Sequence, residues 1–414
     1  MSDAGRGRVS RRAVLGGGLA AGVLGGGSLV REAAQAEDVI PLASGGVGFS
    51  GPGERSFLLP GEPFPLAGSR ALTVGARTPG LVATETALLA AVRGRVEPRW
   101  EDLAGGAVLD LNVLSAGLAA PVAAWTANWR YVWPRDAAHV CRCYAELGRD
   151  ADVLRWLAFL ARCQRPDGHF EARYTLAGGV PDDRPRQADG VGWFLWALHR
   201  CVEALPRRRA DLLAVGRPTA VAALRAVFAD LDRPGGDALP SPTPDYWEVP
   251  ERRTTLGVAA LTLAGLQAAA ALGEELAPEA VLAASYAERL RETIAARFGR
   301  TGYRRYARGG GYDAALTFLL PPYVRGLESE VGPLLDVAWE AMRRPAGGVA
   351  PGERWKDGWI SWTPETALFA QAYAGAGRPG RAAEVLTWLD THRTVAGSLP
   401  EKVLSDGSPA AVAP

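Results

Sequence analysis

Lysine is almost missing from this chain: only Lys356 and Lys402 occur among 46 basic residues, the rest being Arg. A lysine is therefore worth noticing wherever it stands. Methionine stops at two, and cysteine and histidine at four each. Cys141, Cys143, Cys163 and Cys201 fall in helical apolar patterns with no zinc-like spacing to His. Buried thiols are expected, with one helix-to-helix disulfide open in an oxidising compartment. His139, His169, His199 and His392 are too scattered for a metal cage, so neither a metal nor a cofactor is expected. The net charge of only +1 gives no reason to expect nucleic acid or a membrane surface as partner.

What the chain does have is tryptophan, 13 of them, mostly in loop-like segments rather than apolar runs. With 48% hydrophobic and 22% charged residues the composition is globular, and 414 residues can hold one large domain or two to three ordinary ones. The N-terminus reads as a targeting segment, residues 1–36. Ser10-Arg11-Arg12-Ala13-Val14-Leu15 carries a twin arginine, a Gly/Ala-rich run continues to Val30, and Ala34-Gln35-Ala36 offers a small-x-small cleavage site. Such a run is poor hydrocarbon-spanning material. The segment holds five Arg against one Asp and one Glu, so its removal leaves the remainder at −2. Twin-arginine export carries folded proteins, which places the expected site of action outside the cytoplasm, extracellular or in the cell envelope, without stable membrane association.

Residues 37–79, rich in Gly, Pro and Ser, predict an irregular wrap with two short strands at most. From Gly80 to the end, apolar positions recur at helical spacing. The pattern predicts helices near 80–93, 134–147, 150–164, 188–204, 211–231, 254–272, 278–298, 312–320, 326–343, 363–377 and 379–392, many joined by short turns into antiparallel pairs. Helical hairpins in succession suit an all-α toroid. A terpene-cyclase type of toroid needs acidic metal clusters, and no D-D-x-x-D run is present.

The chain is organised around Asn128-Trp129-Arg130-Tyr131-Val132-Trp133-Pro134-Arg135-Asp136. Arg offers a planar fork of donors and Asp a pair of acceptors, so side by side they can hold adjacent hydroxyls. Trp and Tyr supply flat apolar walls with polar edges. Together these suit a sugar ring, although a buried ion pair at a helix start would look the same. Tyr131-Val132-Trp133-Pro134-Arg135-Asp136 resembles the Y-x-W-x-R-D segment of glycoside hydrolase family 15, the glucoamylase and glucodextranase type, in which the Arg-Asp pair holds the non-reducing glucose. That family's fold is the (α/α)6 barrel of six helical hairpins, one helix more than the eleven counted here. The closing helix is therefore either absent or replaced by the N-terminal segment.

Cleaving a glycosidic bond needs two carboxyl groups flanking it, ~6.5–9.5 Å apart when the reaction inverts configuration. In Pro244-Asp245-Tyr246-Trp247-Glu248, Glu248 resembles the family's acid after Trp, and packing against Tyr246 and Trp247 would raise its pKa. The family usually has a second Glu next; here it is Val249, with Glu251 further on. In Gly397-Ser398-Leu399-Pro400-Glu401-Lys402-Val403, Glu401 resembles the base that activates water. Lys402 replaces a common Gln and would lower the pKa of Glu401. Gln187-Ala188-Asp189 resembles the Q-x-D segment, making Asp189 part helix cap and part hydroxyl ligand; a Trp frequent four residues before that Gln is here Asp183. Arg354-Trp355-Lys356-Asp357 resembles an R-Y-x-x-D stretch whose Arg helps hold the glucose, with Trp359 or Trp362 as its aromatic partner.

The resemblance runs from about residue 80 to 414 and implies an exo-acting, metal-independent hydrolase. It would release glucose from non-reducing ends of α-linked oligo- or polysaccharides by inversion, acting as a monomer. Glu248 and Glu401 would be catalytic, with Tyr131, Trp133, Arg135, Asp136, Asp189, Trp247, Arg354 and Trp362 binding substrate. Two alternatives stay open: a degenerate member that binds carbohydrate without cleaving it, and trehalase-like specificity.

Overall fold

The computed structural model describes residues 44–410, so the twin-arginine segment lies outside the described residues. Among those residues the helical segments form six successive hairpins. They are Pro79–Arg93 with Glu101–Val113, Pro134–Glu146 with Asp150–Cys163, Asp189–Ala204 with Arg209–Leu231, Leu256–Leu272 with Glu279–Phe298, the 3-10 segment Ala314–Leu319 with Glu328–Met342, and Thr363–Gly375 with Pro379–Thr391. From the second hairpin onward the first segment of each packs on the first segment of the next, making an inner ring. The second helices of hairpins two to four pack on one another outside it.

The helix missing from the sequence count is Glu101–Val113. Gly105, Gly106 and Asn112 make it a poor helix by propensity, and tertiary packing overrides that. A Cβ on Gly105 would stand 3.0 Å from Leu89, and one on Gly106 3.3 Å from the Gly397 carbonyl oxygen, so the small residues admit close neighbours. The first hairpin closes the ring on both sides. Ser115 Oγ lies 3.3 Å from Tyr144 Oη on the second hairpin, and Arg393, after the last, donates to Asp102 at 2.6 Å. Of the two alternatives for the twelfth helix, absence is corrected and filling from the N-terminal side holds: it is Glu101–Val113, and the N-terminal hairpin that contains it completes the barrel.

Leu256–Leu272 is apolar all round because it packs between Asp189–Ala204, Ala314–Leu319 and the outer helix Glu279–Phe298, nearly every residue being buried. It crosses Asp189–Ala204 so closely that a Cβ on Gly192 would meet the Leu261 carbonyl oxygen at 2.1 Å. Ahead of the barrel, strands Gly46–Gly51 and Glu54–Leu58 pair as an antiparallel hairpin. At the other end Ser361–Trp362, Lys402–Val403 and Pro409–Ala410 form a small antiparallel sheet. The four cysteines are free, and burial pushes the thiols of Cys141 up to about 12 and of Cys143 and Cys163 up to about 11, as expected of inert core thiols.

Candidate active site

The Arg-Asp segment is held at the start of an inner helix. Pro134 opens the helix Pro134–Glu146, which suits proline because the first turn needs no N–H. Upstream, Val132 exchanges both backbone hydrogen bonds with Tyr174, at 2.8 and 2.9 Å, fixing the approach of Tyr131 and Trp133. Arg135 Nη2 stands 3.2 Å from Asp136 Oδ2, a charge contact without hydrogen-bond geometry, since that oxygen and Arg135 Nη1 are buried with no hydrogen-bond partner. Burial works against the Arg135 charge, but Asp136, Asp189, Glu248 and Glu365 outweigh it and raise its pKa. Below it, His139 Nδ1 donates to the Arg135 carbonyl at 2.9 Å, so its Nε2 accepts from Tyr323 Oη at 2.8 Å. Burial lowers its pKa to about 4 and keeps the ring neutral.

Glu248 reaches the same place from a different loop. It has φ +55°, an uncommon conformation for a residue with a side chain and a mark of a position the surroundings enforce. Its carboxylate has polar partners that the neighbouring sequence does not reveal. Oε1 accepts from Trp133 Nε1 at 2.8 Å and Gln187 Nε2 at 3.4 Å, and Oε2 accepts from Arg184 Nη1. The two aromatic neighbours do other work. Tyr246 Oη donates to Asp313 and lies 3.0 Å from the Pro351 carbonyl, while Trp247 stacks under the guanidinium of Arg305 at 3.8 Å. Arg305, 2% exposed, donates to Asp313, Asp245 and Glu251 at 2.7, 3.0 and 2.7 Å. Glu251 therefore anchors the Glu248 loop.

Glu401 arrives by the small sheet. Trp362 pairs with Lys402, and Thr363 N–H donates to the Glu401 carbonyl at 2.9 Å, so the end of the chain is stitched to the start of helix Thr363–Gly375. Burial raises the Glu401 pKa to about 7; Lys402 and Arg135 pull it down and Asp136 pushes it up. The expected lowering by Lys402 is thus outweighed by desolvation. Lys402 lies over the Trp362 ring at 4.2 Å. Trp362, Trp355 and Trp247 stand edge to face in series, with centroids 5.5 and 4.9 Å apart, joining the Glu401 strand to the Glu248 loop. Their three indole nitrogens are buried without a hydrogen-bond partner.

Arg135 thus lies within electrostatic reach of Asp136, Asp189, Glu248 and Glu401, and Asp136 of Glu401. Asp189 is the first residue of its helix rather than a cap; it accepts from Trp193 Nε1 at 3.1 Å, and burial raises its pKa to about 6. Arg173 covers the rings of Tyr131 and Trp133, at 4.3 and 5.2 Å. Arg354 is different: it is exposed and forms no hydrogen bond or ion pair among the described residues. Arg344 organises that loop instead, donating to the carbonyls of Asp357 and Gly352 at 3.2 and 3.3 Å. Trp359 is 71% exposed, leaving Trp362 as the aromatic beside Glu401.

Two site residues have no sequence signal of their own. Arg184 sits in a loop without periodicity, and Glu365 reads as an ordinary carboxylate in a helix first turn. Glu365 is buried, with Oε2 unpartnered, and burial together with Glu401 raises its pKa to about 7. Among the described residues no three acidic, His or Cys side chains cluster in a way that could hold a metal ion.

No protein-family model and no curated protein sequence matches this chain. Solved structures do. A protein described as "Glycosidase Wild Type" superposes with a TM-score of 0.63 at 19% identity, over 78% of this chain and 89% of that one. A bacterial glucoamylase complexed with acarbose gives 0.59 at 15%, over 80% and 56%. The glucoamylase of Saccharomycopsis fibuligera gives 0.54 at 13%, over 79% and 90%. The fold is the (α/α)6 barrel. A metal-independent α-mannosidase of Streptococcus pneumoniae, in complex with α-1,6-mannobiose, also shares it, with a TM-score of 0.53 at 10% identity over 81% and 94%.

Proposed function

We propose that this chain is an exo-acting glycoside hydrolase that releases glucose from the non-reducing ends of α-glucosides with inversion of configuration. The observation that carries this reading is the arrangement around Arg135, which has Glu248 and Glu401 within reach on separate loops and unpartnered polar atoms beside it. A terminal sugar has hydroxyls to meet Arg135 and Asp136 and C–H faces to meet Trp362. Glu248 gives its proton to the glycosidic oxygen as the bond to the anomeric carbon breaks. Glu401, ionised, takes a proton from the water that attacks the opposite face. Similarity to glycosidases, one of them described in complex with glucose, supports the sugar assignment. The twin-arginine segment supports export in folded form, with action in the envelope or outside the cell.

A second reading is binding without cleavage, favoured by one observation: Arg184 holds Oε2 of Glu248. One experiment separates the two. Maltose, isomaltose and trehalose are incubated with the protein and with Glu248→Gln, and the first-formed sugar is followed by proton NMR. Release of β-glucose from the cleaved end by the native protein alone, beyond the anomers that the leaving sugar itself brings, supports the proposal; α-glucose from the cleaved end contradicts inversion, and binding without release supports the second reading.

A further inference from the structure

We propose that the natural leaving group is anionic, an aglycone carrying a carboxylate or phosphate a few bonds from the scissile oxygen, and that Arg184 receives it. The inference rests on Glu248 being the acid. The two oxygens of that carboxyl face different ways. Oε1 is turned to Trp133 and Gln187, which stand two residues from Arg135 and Asp189 respectively. Oε2 is turned to Arg184, away from those donors.

Arg184 is the third member of a chain. Its Nε donates to Asp182 at 3.1 Å, Asp182 accepts from Arg173, and Arg173 lies over Tyr131 and Trp133. Arg173, Asp182, Arg184 and Glu248 balance as two cations and two anions while Glu248 is ionised. When Glu248 carries the proton it must donate, one positive charge is left over beside the leaving group. A neutral sugar there offers that charge nothing but hydroxyls, whereas an anion restores the balance. Asp182 and Glu248 are the only anions Arg184 touches among the described residues; Val249 follows the acid, and Glu251 is already bound by Arg305 and Tyr306.

Arg184 is also placed to turn. Residues 179–187 contain neither helix nor strand, and its side chain is 30% exposed. Drawn onto an anionic aglycone, its Nη1 leaves Oε2 free to carry the proton to the glycosidic oxygen. The C–O bond then breaks with its electron pair on that oxygen, and water closes the new bond as Glu401 takes its proton.

The test is a matched pair of substrates, para-carboxyphenyl and para-hydroxymethylphenyl α-D-glucopyranoside, differing in charge and little else. The native protein is expected to favour the carboxylate in kcat/KM by about tenfold or more, the factor one charge-assisted hydrogen bond supplies. The preference should shrink as salt rises. Arg184→Gln should bring the ratio of the two efficiencies close to one, whatever the absolute rates become. Equal efficiencies in the native protein, or a ratio unmoved in Arg184→Gln, overturn the inference and leave the hydrolase standing. Release from neither substrate overturns the hydrolase and the inference together.

Discussion

Trp133 and Glu248, 115 residues apart in the chain, meet through an indole N–H that donates to a carboxylate oxygen at 2.8 Å. Trp133 is 1% exposed and stands directly before the proline that opens an inner helix, so it is among the least movable groups in the site. Arg135 is two residues further on. The bond therefore fixes the candidate acid against the residue proposed to hold the terminal sugar, and positioning of this kind multiplies the effect of an acid.

Trp133→Phe keeps the ring and removes the donor. Losing one hydrogen bond of about 1–2 kcal/mol from the acid should lower kcat roughly tenfold, with a smaller change in KM. Steady-state kinetics on maltose or an aryl α-glucoside measures this; an unchanged kcat would show that the bond does not position the acid.

The second prediction concerns pH. Glu365 has a folded pKa raised from 4.5 to about 7 by burial and by Glu401. The native state therefore keeps a proton that the unfolded chain releases. That stabilisation is present below pH 4.5 and is lost as pH rises through about 7. Glu365→Gln does not titrate, so its melting temperature should gain on the native protein by a few degrees between pH 5 and 8, ~3 kcal/mol at most. His139, depressed to about 4, acts with the opposite sign, losing stability as pH falls from 6.5, and cancels in the comparison. Parallel melting curves for the two proteins would contradict this account.

Glu401→Ala should lower kcat by about 10²–10⁴, the usual contribution of a general base. An inverting site that has lost its base leaves room for a small anion on the water's side. Added azide should then restore turnover and give β-glucosyl azide from an activated α-glucoside, identified by NMR. An α-azide, or no inactivation at all, would mean that Glu401 is not the base.

Arg305→Met removes a cation and leaves Asp245, Asp313 and Glu251 facing one another in the interior. Breaking a buried ion pair from one side costs about 3–5 kcal/mol. The expected result is a marked drop in melting temperature and, in whatever protein stays folded, loss of activity as the Glu248 loop is released. A variant as stable and active as the native protein would show that the network does not hold the loop.

The helices were legible because their signal is local. Apolar spacing at Pro134–Glu146, Asp189–Ala204 and Leu256–Leu272 follows from burying one stripe, or all sides, of a helix. Glu101–Val113 was not, since its glycines read as breaks until the neighbours that need them small are in view. The weak fifth hairpin, read as two ordinary helices, is a 3-10 segment followed by a pair of short helices with Pro333 between them.

By itself the sequence determined the order of the segments and which residue types stand at helix starts and loop tips, because periodicity and turn chemistry act over a few neighbouring positions. Only the tertiary structure decided what each charged group meets. Glu248 meets Arg184, Glu365 joins Glu401, and Arg354 stands exposed. The physical reason is that charge depends on solvent exclusion and on partners tens to hundreds of residues away. Burial at Glu401 outweighs the lysine beside it, a balance that no adjacency in the chain could express.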